Sequence, residues 1–483
     1  MNPNKSKYLL ALPALAMLVS ACGAPAAAPT AAPAAPTAAP AAKATDVPAA
    51  PKATDVPKPA ATAAPAANAV TIRYTLWDSN QLPAYQACAD AFMKKTPNIV
   101  VKVEQKGWDD YWTGLNTGFA SGDAPDVFTD HLAKYPEFVS KNLILDIEPF
   151  VQADKVDTKQ YLGALADLWM KSGKRFGLPK DWDTVSVMYN ADMLKKAGID
   201  PAIMKDWTWN PKDGGQYGEV IAKLTLDKNG KNGLDPAFDK KNVVQYGFSI
   251  GAGGFAGQTE WSHYAASNGF KLTDGPWTTK YYYDDPKLAE TIQWLADLSL
   301  AKGFAPGIAD VKSLGNSTLF QSGKVAMTTD GSWMIGDYVK NSKFTVGFGL
   351  LPKGPIGGRR SMFNGLADSI WVGTKHPQEA WQWLKYASSE ECEKTVGTFG
   401  VVFPAIKSGV DEALKVYKSK GLDVTSFTDL AFDSSSTFLF PITDHGSDVS
   451  SIMDATMDSI FLGQKKAADA LKDANTKVNA LFK

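Results

Sequence analysis

Residues 23–69 are almost entirely Ala, Pro and Thr, and this stretch limits what the chain can fold into. A proline every few residues removes backbone donors and blocks helix and sheet ladders, and no hydrophobic period runs through the segment. The phrase Lys-Ala-Thr-Asp-Val-Pro occurs at Lys43–Pro48 and again at Lys52–Pro57. The segment is expected to be an extended, semi-stiff spacer. Core-forming sequence then lies beyond it, from Val70 to Lys483.

The other side of the spacer carries a different signal. Lys5 and Lys7 precede an apolar run from Tyr8 to Val19. The run is too short for a membrane anchor and suits the core of a secretion signal. Val19-Ser20-Ala21-Cys22 places small residues just before a single Cys, which resembles a bacterial lipoprotein cleavage box. The resemblance implies that 1–21 is removed and that the Cys22 thiol takes a diacylglycerol. An acyl chain such as palmitate would follow on the new amine. Two or three chains hold a protein to a bilayer far better than one. A plain cleaved signal with a chance Cys is the alternative. Residues 22–69 would then space a folded body from the outer face of the cell membrane.

The charge balance is even, with Lys+Arg 50 against Asp+Glu 51, so nothing electrostatic points to a nucleic acid partner. With Cys at 3 residues, a Cys-ligated metal cluster and a disulfide-stapled fold are excluded. Cys88 and Cys392 could pair in an oxidising compartment, which spacing alone leaves open.

From Val70 onward, strand-like and helix-like stretches alternate. Val70–Trp77, Ile99–Val103 and Asp126–Phe128 read as strands around helices at Pro83–Lys95 and Tyr111–Ala120. Val185–Tyr189, Val325–Thr328 and Phe344–Leu350 read as further strands. Ala191–Ala197, Ala289–Ala301, Pro377–Ser388, Val449–Phe461 and Lys465–Phe482 read as helices, two of them closed by Gly198 and Gly303. The alternation is that of an α/β protein with a mostly parallel sheet, and over 400 residues is too long for one sheet. Two lobes are expected, with no tandem repeat.

Catalytic signatures are sparse. There is no GxSxG, HExxH, Walker box or CxxC, and the 4 His, at 131, 263, 376 and 445, are far apart. Gly251-Ala252-Gly253-Gly254 lacks the full dinucleotide spacing and reads as a loop. What is abundant is Trp beside polar residues, as in Trp77-Asp78, Trp182-Asp183, Glu260-Trp261 and Ser332-Trp333. Sugar rings present apolar C–H faces that stack on aromatic rings, while their hydroxyls need carboxylate or amide partners. Trp294, Trp381 and Trp383 fall in expected helices and suit core packing, as do Trp207 and Trp209. Trp77, Trp261 and Trp333 sit near strand or turn ends and are the candidate platforms.

Several segments carry a family resemblance. They are Ala120-Ser121-Gly122-Asp123-Ala124-Pro125-Asp126-Val127, Gly177-Leu178-Pro179-Lys180-Asp181-Trp182-Asp183, Trp207-Thr208-Trp209, and above all the run from Phe320 to Trp333. Through them residues 70–483 resemble the extracellular solute-binding proteins of the sugar-binding class, the maltodextrin-binding-protein-like family. The resemblance implies a two-lobed periplasmic-binding-protein-like fold with an interlobe ligand cleft, closing by a hinge. Crossings would fall near Lys180–Thr184, Asn364–Asp368 and Thr398–Pro404. Lobe one would hold 70–181 plus 367–400, and lobe two 182–366 plus 401–483.

The same resemblance makes Trp333 the main stacking platform, presented by the turn at Asp330 and Gly331. Trp77, Asp130 and His131 would contact sugar from lobe one, with Asp183 as hydroxyl acceptor at the crossing. Asp78, Asp181, Trp261, Asn364 and Trp371 complete the candidate set. The implied function is capture of a sugar or oligosaccharide by a monomer and its delivery to the permease subunits of an ABC importer, with no catalysis. A binder of a polyol phosphate and a lipid-anchored glycosidase, with paired carboxylates, are the alternatives. The stretch 210–245 departs from the family pattern, so the preferred sugar does not transfer.

No cofactor is required for such a role. One loop suggests a structural Ca²⁺: Asp227, Asn229, Lys231 and Asp235 follow the opening spacing of an EF-hand. Asn232 stands where that loop needs Gly, and Phe238 stands at its twelfth position. A plain Asn-Gly turn between Leu224 and Val243 is the alternative.

Overall fold

Two sheets organise residues 68–483, the part of the chain that this computed structural model describes. The expected signal, Cys22 and nearly all of the spacer lie outside the described residues. In chain order the strands are β1 (Val70–Leu76), β2 (Ile99–Gln105), β3 (Val127–Asp130), β4 (Met170–Lys171), β5 (Lys174–Arg175), β6 (Leu178–Asp183) and β7 (Val185–Asn190). They continue with β8 (Leu226–Asp227), β9 (Val243–Ser249), β10 (Val325–Gly331), β11 (Val346–Gly349), β12 (Ser361–Ile370), β13 (Phe403–Pro404) and β14 (Thr437–Leu439). The first sheet runs β13-β6-β12-β3-β1-β2, with β14 beside β12; the second runs β11-β7-β10-β9-β8. Each sheet centres one lobe of the two-lobed α/β fold.

The early strands form as their pattern predicts. Ile72, Tyr74 and Leu76 alternate inward on β1, and β1 pairs in parallel with β2 from Val70↔Ile99 to Leu76↔Gln105. The helix Leu82–Lys95 returns the chain with Ala84, Tyr85, Cys88 and Phe92 buried against that sheet. The sheets are mixed rather than mostly parallel. β12 runs antiparallel to both β3 and β6, and β7 runs antiparallel to both β10 and β11.

β12 had no reading as a strand. Nine of its ten residues are buried, with Asn364, Asp368 and Ser369 among them, so it shows no in–out alternation. Its polar side chains are satisfied from within. Asp368 accepts from the Thr129 hydroxyl at 2.8 Å and from the Tyr74 hydroxyl at 3.1 Å, which ties β12 to β3 and β1.

The strand pairings move two of the three expected crossings. The first falls at Thr184, the single residue between β6 and β7, within the expected span. The second lies in residues 350–360, between β11 and β12, because Asn364–Asp368 is already inside a strand of the first sheet. Thr398–Pro404 is no crossing: Phe403 pairs with Trp182, which keeps this stretch in lobe one. The chain leaves the first sheet after Leu439, and the closing helices Gly446–Phe461 and Ala467–Ala480 pack on the lobe-two helix Pro286–Leu300.

Cys88 and Cys392 form a disulfide that links the helix Leu82–Lys95 to the helix Glu390–Phe399 across 304 residues of sequence. A crosslink closing so long a loop restricts the unfolded chain more than the folded one. Cys88→Ser is expected to cost about 2–4 kcal/mol of stability. The check is a urea midpoint that falls in the variant, with reductant lowering the wild type in the same way and leaving the variant unmoved.

Candidate functional site

The ends of the strands in the two sheets face one cavity of about 500 Å³, within the usual size of a small-molecule site. Lobe one supplies one aromatic wall. Trp77 follows β1, and Trp108 opens the helix Trp108–Ser121, where it is 45% exposed. The two rings meet edge to face at 5.2 Å, and Trp77 also packs on Tyr111 and Trp112 at 5.3 and 5.4 Å. Trp333 faces this wall of the cavity from the lobe-two turn after β10. Gly331 is needed there for space. A Cβ on it would sit 1.9 Å from the Trp333 ring.

The polar floor comes from β6 and β12. Their register sets Asn364 beside Asp183 and Gly365 beside Trp182. One terminal amide atom of Asn364 lies 3.0 Å from Asp183 Oδ2 and 3.1 Å from His131 Nε2. Gln258, from the glycine-containing loop after β9, donates to Asp183 Oδ1 at 2.8 Å, which joins lobe two to the crossing. Lys180 is 1% exposed and donates to Gln81 Oε1 at 2.6 Å and to Asp181 Oδ2 at 3.2 Å. Beneath the floor Trp182 lies between Phe363 and Phe403, near-parallel to both.

Burial dominates the electrostatics. It pushes the Asp183 carboxyl well above its ordinary range, and the Asp181 charge beside it adds to the effect. Burial also raises Asp181 itself, against the pull of Lys180. It drives His131 down to about 3, so that imidazole is neutral at ordinary pH.

Of the expected site residues, Trp77, Asp78, His131, Asp181, Asp183, Trp333 and Asn364 line the cavity. Asp130 does not; it is fully buried, accepting from the His131 amide at 2.8 Å and from the Ser369 hydroxyl at 3.2 Å. Burial raises it to about 8. Asp330 is also off the lining; it accepts from the Gly331 amide and from the Tyr338 hydroxyl, bracing the turn that presents Trp333. Trp261 is fully buried with its indole N–H on the Gly253 carbonyl, and it borders a separate cavity of about 300 Å³. Trp371 follows the far end of β12, seven residues and so about 23 Å along the strand from Asn364.

The sequence reading passed over Trp108, Gln81, Gln105 and Gln258, all on the lining. Trp108 had a signal, a large apolar residue directly after Gly107 where a helix begins. The glutamines had none, since nothing local says which loop returns to the cleft.

The Asp227 loop does not gather a Ca²⁺ donor set. Asp227 accepts from the amides of Asn229, Lys231 and Asp239 at 2.8–2.9 Å, and Asp235 is paired with Lys231 at 2.9 Å. A carboxylate turned onto backbone amides and an ammonium within the set leave little for a hard cation. The loop joins the antiparallel strands β8 and β9, with a turn at Asn229-Gly230 where Gly230 takes φ +76°. Among the described residues no three His, Cys, Asp or Glu side chains converge as a metal set.

A family model described as bacterial extracellular solute-binding protein matches residues 87–421. An arabinooligosaccharide-binding protein of Bacillus subtilis is 24% identical over 332 residues, covering 66% of this chain and 69% of that protein. The crystal structure of M. tuberculosis UspC is 26% identical with a TM-score of 0.67, covering 85% of this chain and 100% of that one. An ABC substrate-binding protein from Listeria monocytogenes in complex with cycloalternan is 22% identical with a TM-score of 0.73, covering 86% of this chain and 99% of that one.

The two candidate platforms should separate by stability. Trp261→Ala empties a packed site and is expected to cost roughly 3–5 kcal/mol. Trp333→Ala removes a half-buried ring from the cavity wall and should cost less than about half of that. Urea unfolding of the two variants measures both.

Proposed function

The chain belongs to the family of bacterial extracellular solute-binding proteins, and from that premise we propose that it captures a neutral saccharide outside the membrane and delivers it to an ABC importer. One observation carries the reading. The cavity between the sheets is lined by four tryptophans, the half-exposed Trp77, Trp108 and Trp333 and the buried Trp182, together with Asp78, Asp181, Asp183, Asn364 and Gln258. Flat apolar faces with a rim of carboxylates and amides suit a sugar ring, whose C–H face stacks and whose hydroxyls donate and accept. The arabinooligosaccharide-binding relative and the cycloalternan complex support an oligosaccharide.

The lining also argues against a polyol phosphate. It holds three carboxylates and, among the described residues, no Lys or Arg. A phosphate needs cations or free helix amides converging on it.

In this reading the lobes close about the crossings, Thr184 among them, and bring Trp333 toward the Trp77–Trp108 wall. The closed form of the monomer then docks on the permease subunits. No covalent step and no cofactor are part of it. Among the described residues no helix is long and apolar enough to cross a membrane. In this reading attachment to the cell membrane rests on removal of 1–21 and lipidation of Cys22, with the Ala/Pro/Thr segment as tether.

The test is a thermal-shift series on residues 68–483 with neutral oligosaccharides, monosaccharides and glycerol phosphate. A solute bound by the folded state alone raises Tm by mass action. A saccharide is expected to raise Tm, with little dependence on salt because the ligand is uncharged. Trp333→Ala should weaken that binding by about 2 kcal/mol, or roughly thirtyfold. A shift with glycerol phosphate alone would reject the saccharide reading.

A further inference from the structure

A chain of hydrogen bonds at the cleft floor starts from a donor that cannot turn around. The backbone N–H of Ala133 donates to His131 Nδ1 at 3.0 Å. A ring nitrogen that accepts carries no proton, and His131 is neutral, so its one ring proton is on Nε2. Nε2 faces the Asn364 amide atom at 3.1 Å. With Nδ2 in that place, two donors would stand face to face. Oxygen and nitrogen of an amide have the same shape; the far terminal atom of Asn364 has no partner in either orientation, so the contacts with His131 and Asp183 decide which lies where. The atom facing His131 is therefore the carbonyl oxygen, and it accepts from Nε2.

That same oxygen lies 3.0 Å from Asp183 Oδ2. Two bare acceptors at this distance in a buried place repel, and a proton between them turns the contact into a bond. The other carboxyl oxygen accepts from Gln258 Nε2 at 2.8 Å, which the carbonyl oxygen of a neutral acid does equally well. We infer that Asp183 stands in the ligand-free cleft at neutral pH as a protonated carboxylic acid, donating through Oδ2 to Asn364. His131 and Asn364 are the positioning residues for that proton.

The surrounding charges fit. On its own strand Asp183 has Asp181 and Lys180, and the Lys180 ammonium is committed to Gln81 and Asp181. Asp78 shares the cavity from the loop after β1, His131 is neutral, and Glu260 follows Gln258 on the lobe-two loop. None of these offers Asp183 a free cation. Burial acts in the same direction. With Asp181 paired to Lys180 and Asp183 neutral, the floor offers a solute polar groups with little net charge. Ionising Asp183 at high pH would turn the Asn364 amide over and break its bond to His131. The inference concerns the ligand-free protein and does not depend on which solute binds.

The proton has a signed consequence. The folded state holds it more tightly than the unfolded chain, so its stabilisation is complete below the ordinary carboxylate pKa. It is lost as pH rises toward the folded value. Asp183→Asn mimics the neutral acid, donating through its amide to Asn364 and accepting from Gln258. The wild-type Tm should therefore fall relative to the Asp183→Asn variant as pH rises from 5 to 9. In ¹³C-Asp-labelled ligand-free protein, one carboxyl resonance absent from that variant should remain at its protonated position at pH 7. ¹⁵N shifts of the wild-type imidazoles, assigned with His131→Gln, should place the His131 proton on Nε2. An ionised Asp183 resonance at pH 7, a His131 proton on Nδ1, or an Asp183→Asn variant that fails to fold would each overturn the inference.

Discussion

Thr184 is the single residue between the last residue of β6 and the first of β7, and those strands belong to different sheets. The two residue steps from Asp183 to Val185 span at most about 7 Å, so the two sheets cannot part at this point whatever the lobes do elsewhere. The groups nearest the crossing are therefore held, while those farther from it can move. Asp183 and Asn364 lie at the held end, with Gln258 reaching in from lobe two. Trp333 sits on the lobe-two turn and Trp77 on the lobe-one wall. A hinge placed here changes the aromatic gap and leaves the polar floor nearly intact, a division of labour that suits capture of a ring between two faces.

The floor is costly to build, and its neighbours show how the cost is met. Isolated charges are expensive in a buried place, so they occur paired, hydrogen-bonded or neutral. Lys180 lies against Asp181 and Gln81; Asp368 takes two hydroxyl donors; Asp130 takes an amide and a hydroxyl. Trp182, 1% exposed and held between Phe363 and Phe403, packs beneath the strip at the edge of the cavity. The aromatic residues thus serve two ends, as half-exposed walls at Trp77, Trp108 and Trp333 and as packing at Trp182 and Trp261.

Sequence alone separated the Pro-rich segment from the folding body and predicted strands at β1, β2, β7 and β10: β1 and β2 alternate, while β7 and β10, though buried almost throughout, are short runs of apolar and β-branched residues. It also pointed to Trp77, Trp333, His131, Asp183 and Asn364. The first two adjoin strand ends, and the other three came through the family resemblance. It had no means of reading β12. A strand buried on both faces has no alternation to display, and its Asn, Asp and Ser resemble loop residues until their partners are known. The third crossing was misplaced for a related reason, since Phe403–Pro404 is too short to carry a pattern and is a strand only by pairing with β6.

What tertiary structure decided was which candidates share a place. Trp261 and Trp333 look alike in sequence, each an aromatic beside polar residues, yet one is sealed behind the Gly253 carbonyl and the other stands on the cavity wall over a glycine. Cys88 and Cys392 were two unassigned thiols until the helices carrying them met. The composition, the period of each element and the spacer are local properties, and the chain states them outright. Convergence of Trp77, Trp108, Gln258 and Trp333 on one cavity depends on strand order and crossings, which are set by long-range pairing that no local stretch encodes.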